Sequence, residues 1–194
     1  MARAPGLLFD PDVPDGFQYR SSFITADEEA GLVQNIAGVA FSTFEMRGIV
    51  ARRRVAFFGR SYAAAAPPAL PMPGFLMPLR DAVSRWVQVD PAVFVMALIN
   101  EYPAGAPIGW HRDAPQYGIV VGISLLSVCR MKFRPYVSPS VRDGGNMPRR
   151  TSHEVVLEPR SAYLLSGEAR SAYEHHIPAV SALRYSITFR TMRT

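Results

Sequence analysis

The sequence predicts a single domain of the α+β class, mainly β, with two supporting helices set before a β-barrel or jelly-roll core. Three observations carry this. Helix-start and helix-period signals stand ahead of Pro91. After Pro91 the texture changes to short apolar or alternating runs, broken by turn residues. The chain of 194 residues, 48% of them hydrophobic, is long enough to enclose one core without disulfides and short enough for one domain, 1–194.

The elements follow in order. Thr25 with Glu28 reads as a capping box that opens a helix running to about Ala37. Residues 63–74, rich in Ala and Pro, read as an exposed loop. A second helix is expected over Phe75 to Val87, where Leu79, Val83 and Trp86 share a face and Pro78 falls in the first turn. Asp90-Pro91 ends it. Strands are expected at about 93–102, 117–128, 129–134, 153–157, 161–166 and 183–190, with a long polar loop at roughly 138–152.

Composition narrows the classes. The short apolar run in residues 1–10 does not read as a signal peptide, and nothing later approaches a membrane span. The lone Cys129 cannot form an internal disulfide, suits a reducing cytoplasm and reads as a buried core residue. One cysteine also cannot supply the thiolates of a structural zinc site. A net charge of +5 suits an anionic partner such as nucleic acid. All but one of the 21 basic residues are Arg, a skew that genomic base composition can produce as well.

The chemistry-bearing residues are few. His111 and Asp113 bracket Arg112, and side chains two apart on extended backbone point the same way. With His175 they supply two imidazoles and a carboxylate, the donor set of non-heme Fe(II) oxygenases. The run Arg184 to Arg190 divides by parity: Arg184, Ser186, Thr188 and Arg190 on one face, Tyr185, Ile187 and Phe189 on the other. Taken alone, the polar face reads as solvated surface. Inside a barrel it would line the lumen, where two arginines need an anion and a dicarboxylate meets that need. Asn100 and Tyr102 share a strand face just before Gly105. A Ser-His-Asp hydrolase is disfavoured: there is no Gly-x-Ser-x-Gly element, and Gly122 to Leu126 reads as a buried strand.

Asn100-x-Tyr102-x-x-Gly105, His111-x-Asp113, His175 and Arg184-x-Ser186-x-Thr188-x-Arg190 together resemble the AlkB family of Fe(II)/2-oxoglutarate-dependent dioxygenases over roughly residues 47–190. The stretch from Leu164 to Arg170 also looks like the family's approach to its distal ligand. The resemblance implies a double-stranded β-helix core over about 93–190 and a substrate-recognition lid over about 47–74. It implies that His111, Asp113 and His175 bind Fe(II), with His175 preferred over His176 on spacing. It assigns 2-oxoglutarate to Asn100, Tyr102, Arg184, Ser186 and Arg190, with O2 as co-reactant. Arg184 would pair with the distal carboxylate and Arg190 would lie near the chelating end. Ser186 stands where the family usually has Asn. The implied reaction is oxidative demethylation of N-alkylated nucleobases in DNA or RNA, releasing formaldehyde, succinate and CO2.

For the substrate, the stretch from Arg52 to Tyr62 looks like the family's lid. Arg53, Phe57, Arg60 and Tyr62 are candidate contacts, as is Trp110, with Arg52 and Arg54 as further phosphate contacts. The same stretch reads equally as a strand with core phenylalanines and a solvated basic end. Arg130, Lys132 and Arg134 share a strand face that borders the active-site mouth or is simply solvated. Ala114 and Pro115 stand where well-studied members carry an acidic residue that orients the base. Two alternatives follow: a dioxygenase of this fold acting on protein, lipid or a small molecule, and a non-catalytic binding module. A cytoplasmic monomer without membrane contact is expected.

Overall fold

The structure is a computed structural model and describes residues 13–46, 49–60, 70–138 and 152–193. The capping box forms as the sequence predicts. Thr25 Oγ1 accepts from the Glu28 N–H at 3.2 Å, Glu28 accepts from the Thr25 N–H at 2.7 Å, and α1 (Ala26–Ile36) follows. The second helix starts with one 3-10 turn, Gly74–Leu76, and continues as α2 (Met77–Val87) with Pro78 in its first turn. It ends on Gln88 in the left-handed region.

Eleven strands are described: β1 (Phe17–Arg20), β2 (Ser42–Met46), β3 (Ile49–Gly59), β4 (Phe94–Tyr102), β5 (Ile108–His111), β6 (Tyr117–Leu125), β7 (Cys129–Pro135), β8 (His153–Leu157), β9 (Ala162–Leu165), β10 (Tyr173–Ile177) and β11 (Arg184–Met192). A short helix, α3 (Gly167–Ser171), links β9 to β10. The strands form a seven-stranded sheet, β1-β9-β6-β11-β4-β3-β2, and a four-stranded sheet, β5-β10-β7-β8. The named pairings within both sheets are antiparallel, and the two sheets form a jelly roll. The order is more interleaved than helices followed by strands, since β1 precedes α1 and β2 and β3 separate the helices. Most of the expected loop over 63–74 and most of that over 138–152 lie outside the described residues.

Both faces of the large sheet are covered. Leu32 and Ile36 of α1 and Leu79 and Val83 of α2 pack on Ala97, Ile99, Ile123 and Ile187. On the other face Val120, Tyr163 and Leu165 meet Met131, Phe133 and Leu157 of the small sheet, with Cys129 buried among them. This double cover explains why β4 and β11 are buried along nearly their whole length. It also overturns the solvated reading of β11: Arg184, Ser186, Thr188 and Arg190 point into the jelly roll and are all buried.

One glycine is fixed by packing beside these arginines. A Cβ on Gly122 would fall 2.2 Å from the Tyr163 ring, which lies across β6. Gly122→Ala is expected to lower unfolding stability by about 1–3 kcal/mol through overpacking, read as a lower urea midpoint.

Candidate metal and cosubstrate site

β5 and β10 are paired so that His111 faces His175 directly, with ring centroids 4.2 Å apart. Nδ1–H of His111 donates to the Gly109 carbonyl at 2.9 Å, which leaves Nε2 as the lone-pair nitrogen. Asp113 follows two residues after His111 and turns Oδ2 to within 3.8 Å of His175 Nε2. Its Oδ1 accepts from both Nε and Nη2 of Arg190, at 3.1 and 2.8 Å. Among the described residues no three His, Cys, Asp or Glu side chains are already drawn to metal-binding distances. The donor chemistry nevertheless fits a divalent iron: two neighbouring imidazoles and one ionised carboxylate gathered at one buried point.

Protonation supports that fit. Burial, and then His111 beside it, pushes the His175 imidazole down to about 3, and Asp113 only partly offsets them. Burial also lowers His111, against the pull of Asp113. Burial alone would raise Asp113, but Arg190, His175 and His111 outweigh it and hold the carboxyl well below the ordinary range. All three donors therefore keep their lone pairs at neutral pH.

A linked stability effect follows. Below about pH 6.5 the unfolded chain binds protons at these histidines that the metal-free folded chain refuses. Metal-free protein is expected to lose up to about 1.4 kcal/mol per pH unit at His175 as pH falls from 6.5 to 5, with His111 adding in the same direction. The stability contributed by Asp113 is lost only at more acid pH, so the histidines set the sign in this window. Urea unfolding at pH 7 and pH 5 measures it.

Arg184 lies six positions from Arg190 on β11 and is completely buried. Its Nε donates to Ser124 Oγ at 3.1 Å, and its guanidinium carbon stands 5.1 Å from the Tyr102 ring centroid. Among the described residues nothing accepts a hydrogen bond from Nη1 or Nη2. A buried guanidinium with two unsatisfied nitrogens fits a carboxylate ligand that reaches it there. Asn100 donates to Ser186 Oγ at 3.5 Å on the same sheet face, so the serine found in place of Asn still belongs to this polar cluster. Sequence reasoning missed Ser124 and Tyr163. Each sits in an apolar run, and only cross-strand placement brings it to the cluster.

A cleft of about 1410 Å³ opens onto His111 and Asp113. Arg53 and Trp110 line it, as do Ala114 and Pro115. Arg184 and Asn100 do not line it, and neither do Phe57 and Arg60. β3 climbs about 3.3 Å per residue, so Phe57 sits roughly 13 Å along the strand from Arg53. Phe57 is nevertheless on the site side of the large sheet, opposite Leu98, and is exposed. Arg54 turns to the other face and forms a paired ion bridge with Glu101 at 2.8 and 3.0 Å. Tyr62 lies outside the described residues. In the expected lid, Arg54–Gly59 is built into the large sheet against β4, while Val50 to Arg53 run on past that pairing along the cleft.

Arg170 was not singled out by the sequence for any role of its own. Its Nη2 donates to the carbonyls of Ala114, at 2.5 Å, and Tyr117, at 3.0 Å. It thereby ties the segment after Asp113 to the helix that leads into His175. Only the fold brings these parts together.

Residues 44–190 match the sequence model of the 2OG-Fe(II) oxygenase superfamily. The chain is similar to the alkylated DNA repair protein ALKBH8 homolog of Arabidopsis thaliana, 27% identical over 192 residues, a match covering 90% of this chain and 51% of that protein. It thus spans about half the length of that relative. It is 24% identical over 196 residues to the uncharacterized protein L905 of Acanthamoeba polyphaga mimivirus, covering 92% of this chain and 85% of that one. Among solved structures OsALKBH1 superposes with a TM-score of 0.66 at 14% identity, over 92% of this chain and 99% of that one. A prolyl hydroxylase from Trichoplax adhaerens, in complex with a hypoxia inducible factor oxygen degradation domain peptide fragment, gives 0.61 at 15% identity, over 92% and 84%. A Pseudomonas putida prolyl-4-hydroxylase gives 0.60 at 12% identity, over 92% and 93%. At such identities the solved structures carry the fold.

Proposed function

The chain belongs to the 2OG-Fe(II) oxygenase superfamily and is AlkB-like within it, and from that premise we propose that it oxidatively demethylates N-alkylated nucleobases in DNA or RNA. The observation that carries the nucleic-acid half is the charge of the cleft. Six arginines line it (Arg52, Arg53, Arg112, Arg134, Arg170 and Arg193) against three carboxylates, and it reaches His111 and Asp113. A polyanion that must bring a base to a buried centre is matched by such an entrance.

In this reading His111, Asp113 and His175 hold iron. Arg184 grips the distal carboxylate of 2-oxoglutarate through the nitrogens that lack acceptors among the described residues, with Asn100, Tyr102 and Ser186 beside it. When bound, iron(II) with 2-oxoglutarate and O2 supplies the oxidation, one oxygen atom leaving in succinate as CO2 is lost and the other hydroxylating the N-methyl group, which departs as formaldehyde. Arg190 keeps Asp113 ionised and fixes one of its oxygens. Arg170 holds the backbone after Asp113. The cover on both faces of the large sheet keeps bulk water from the cosubstrate cluster. A cytoplasmic monomer belongs to the same proposal, and no helix among the described residues is long and apolar enough to cross a membrane.

One observation favours a second reading. Ala114 and Pro115 line the cleft where an acidic side chain would orient a base, which suits a protein, lipid or small-molecule substrate instead. A single experiment separates the two. Single-stranded oligonucleotides carrying 1-methyladenine or 3-methylcytosine are incubated with enzyme, Fe(II), ascorbate and 2-oxoglutarate, then analysed by mass spectrometry. Loss of the methyl group with matching succinate is expected. Succinate without demethylation across such bases moves the substrate to the second class.

A further inference from the structure

The outer face of the small sheet continues the cleft wall. His111 and His175 point inward, so Trp110, Glu174 and His176 point outward. Glu174 is paired with Arg134 and His176 with Lys132 across the β10–β7 ladder, and Lys132 with Glu154 across β7–β8. Trp110 has two cationic or aromatic neighbours on this face. The Arg134 guanidinium lies 4.3 Å from its ring centroid and the His176 ring 5.0 Å away. Beside it, Arg112 is stacked 3.5 Å over Tyr136. Trp110, Arg112, Arg134 and Tyr136 also line the cleft, so face and entrance are one surface.

A solvated strand face with cations paired to glutamates would explain part of this. Arg134 does bond Glu174 at 2.7 Å, and Arg130 and Lys132 share Glu154 at 3.1 and 3.3 Å. That reading leaves two outward-facing aromatic rings, each covered by a guanidinium, at the lip of the cleft. It also leaves Arg112 with no carboxylate partner among the described residues. Arg130, Lys132 and Arg134 recur about 6.7 Å apart along β7, a spacing comparable with successive phosphates of an extended strand. Aromatic rings interleaved with cations suit a single strand, whose bases are free to stack.

We propose that this outer face, from Arg112 and Tyr136 through Trp110 and Arg134 to Lys132 and Arg130, is a track for the single-stranded polynucleotide that flanks the target base. The proposal rests on the nucleic-acid reading above. Cations along the track hold phosphates, and Trp110 and Tyr136 offer stacking faces next to the site.

The chain has two tryptophans, so Trp86→Phe leaves Trp110 as the only indole reporter. Anaerobic protein loaded with Fe(II) and 2-oxoglutarate is titrated with an unmodified single-stranded oligonucleotide. Binding is followed by anisotropy of a labelled strand and by Trp110 emission. Saturable quenching of Trp110 is expected. Arg130→Ala/Lys132→Ala, one exposed and one half-buried position, is expected to weaken binding about tenfold and to reduce the slope of log K against log salt by about 1.4, roughly 0.7 per cation on a single strand. If the oligonucleotide binds but Trp110 emission or the salt slope does not move, the track is overturned while nucleic-acid recognition stands. If the unsubstituted protein binds no oligonucleotide, both readings fall together. Lys132, the chain's single lysine, gives a check without substitution. Bound strand slows its acetylation if the track is right, and an unchanged rate overturns it.

Discussion

Arg184→Met raises the 2-oxoglutarate concentration needed for half-maximal succinate formation by about 30-fold to several hundred-fold, the loss of roughly 2–4 kcal/mol of charge-assisted hydrogen bonding. The reason lies in how Arg184 is held. It is completely buried, and among the described residues its Nε donates to Ser124 while both terminal nitrogens lack acceptors. The ligand-free fold therefore carries an uncompensated cation, and the proposed carboxylate relieves it. A second readout separates binding from folding. Without cosubstrate, Arg184→Met is expected to be at least as stable as the parent, because an apolar side chain replaces an incompletely satisfied charge. Added 2-oxoglutarate then stabilises the Fe(II)-loaded parent, by about 2.7 kcal/mol at a hundred times its Kd, and the variant by no more than about 0.9 kcal/mol at the same concentration. An unchanged cosubstrate requirement would sink the assignment.

Asp113→Ala abolishes iron-dependent turnover and also destabilises the protein, by about 3–5 kcal/mol, because it strands Arg190. Arg190 is mostly buried and places two hydrogen bonds on a single oxygen of Asp113. Asp113→Asn isolates the metal role. Its amide oxygen can still accept from Arg190, so stability falls less, while the lost negative charge removes a hard donor from the iron set. Succinate formation and urea unfolding on both variants test the pair of roles. Full turnover in either variant would remove Asp113 from the metal site.

Much of this was legible in the sequence, for reasons that differ by element. Thr25 and Glu28 announce α1 because a capping box is local chemistry. The strands β4, β6, β8 and β11 are rich in β-branched and aromatic residues, β7 alternates apolar with basic residues, β9 is a short apolar run, and each was expected close to where it lies. β5 and β10 were not foreseen. β5 is four residues with a glycine inside, and β10 reads Tyr-Glu-His-His-Ile, where a polar histidine, His175, occupies an inward position and erases the alternation. Both become strands through their mutual pairing and the ladder to β7. β1 owes its form in the same way to β9. At the site, parity grouped Arg184, Ser186, Thr188 and Arg190 but could not say which side of the sheet was covered. Ser124, Tyr163 and Arg170 needed contacts between segments distant in sequence. The cleft contacts expected of Phe57 and Arg60 failed for a simple reason: β3 continues along the sheet and carries them past the opening.

The two halves of the site ride on elements of unequal permanence. β11, with Arg184 and Arg190, is clasped on both sides by β4 and β6, at the centre of the larger sheet. β5, with His111, is a four-residue edge strand held on one side by β10. Amide hydrogens of β11 should exchange with solvent only through global unfolding, whereas those of β5 should exchange through a cheaper local opening. Such an opening frees one imidazole while the arginines stay in place. Under the proposed assignment, iron would leave and return on the timescale of a fraying edge, without the chain ever unfolding, and the proposed cosubstrate cradle would outlast the metal it serves.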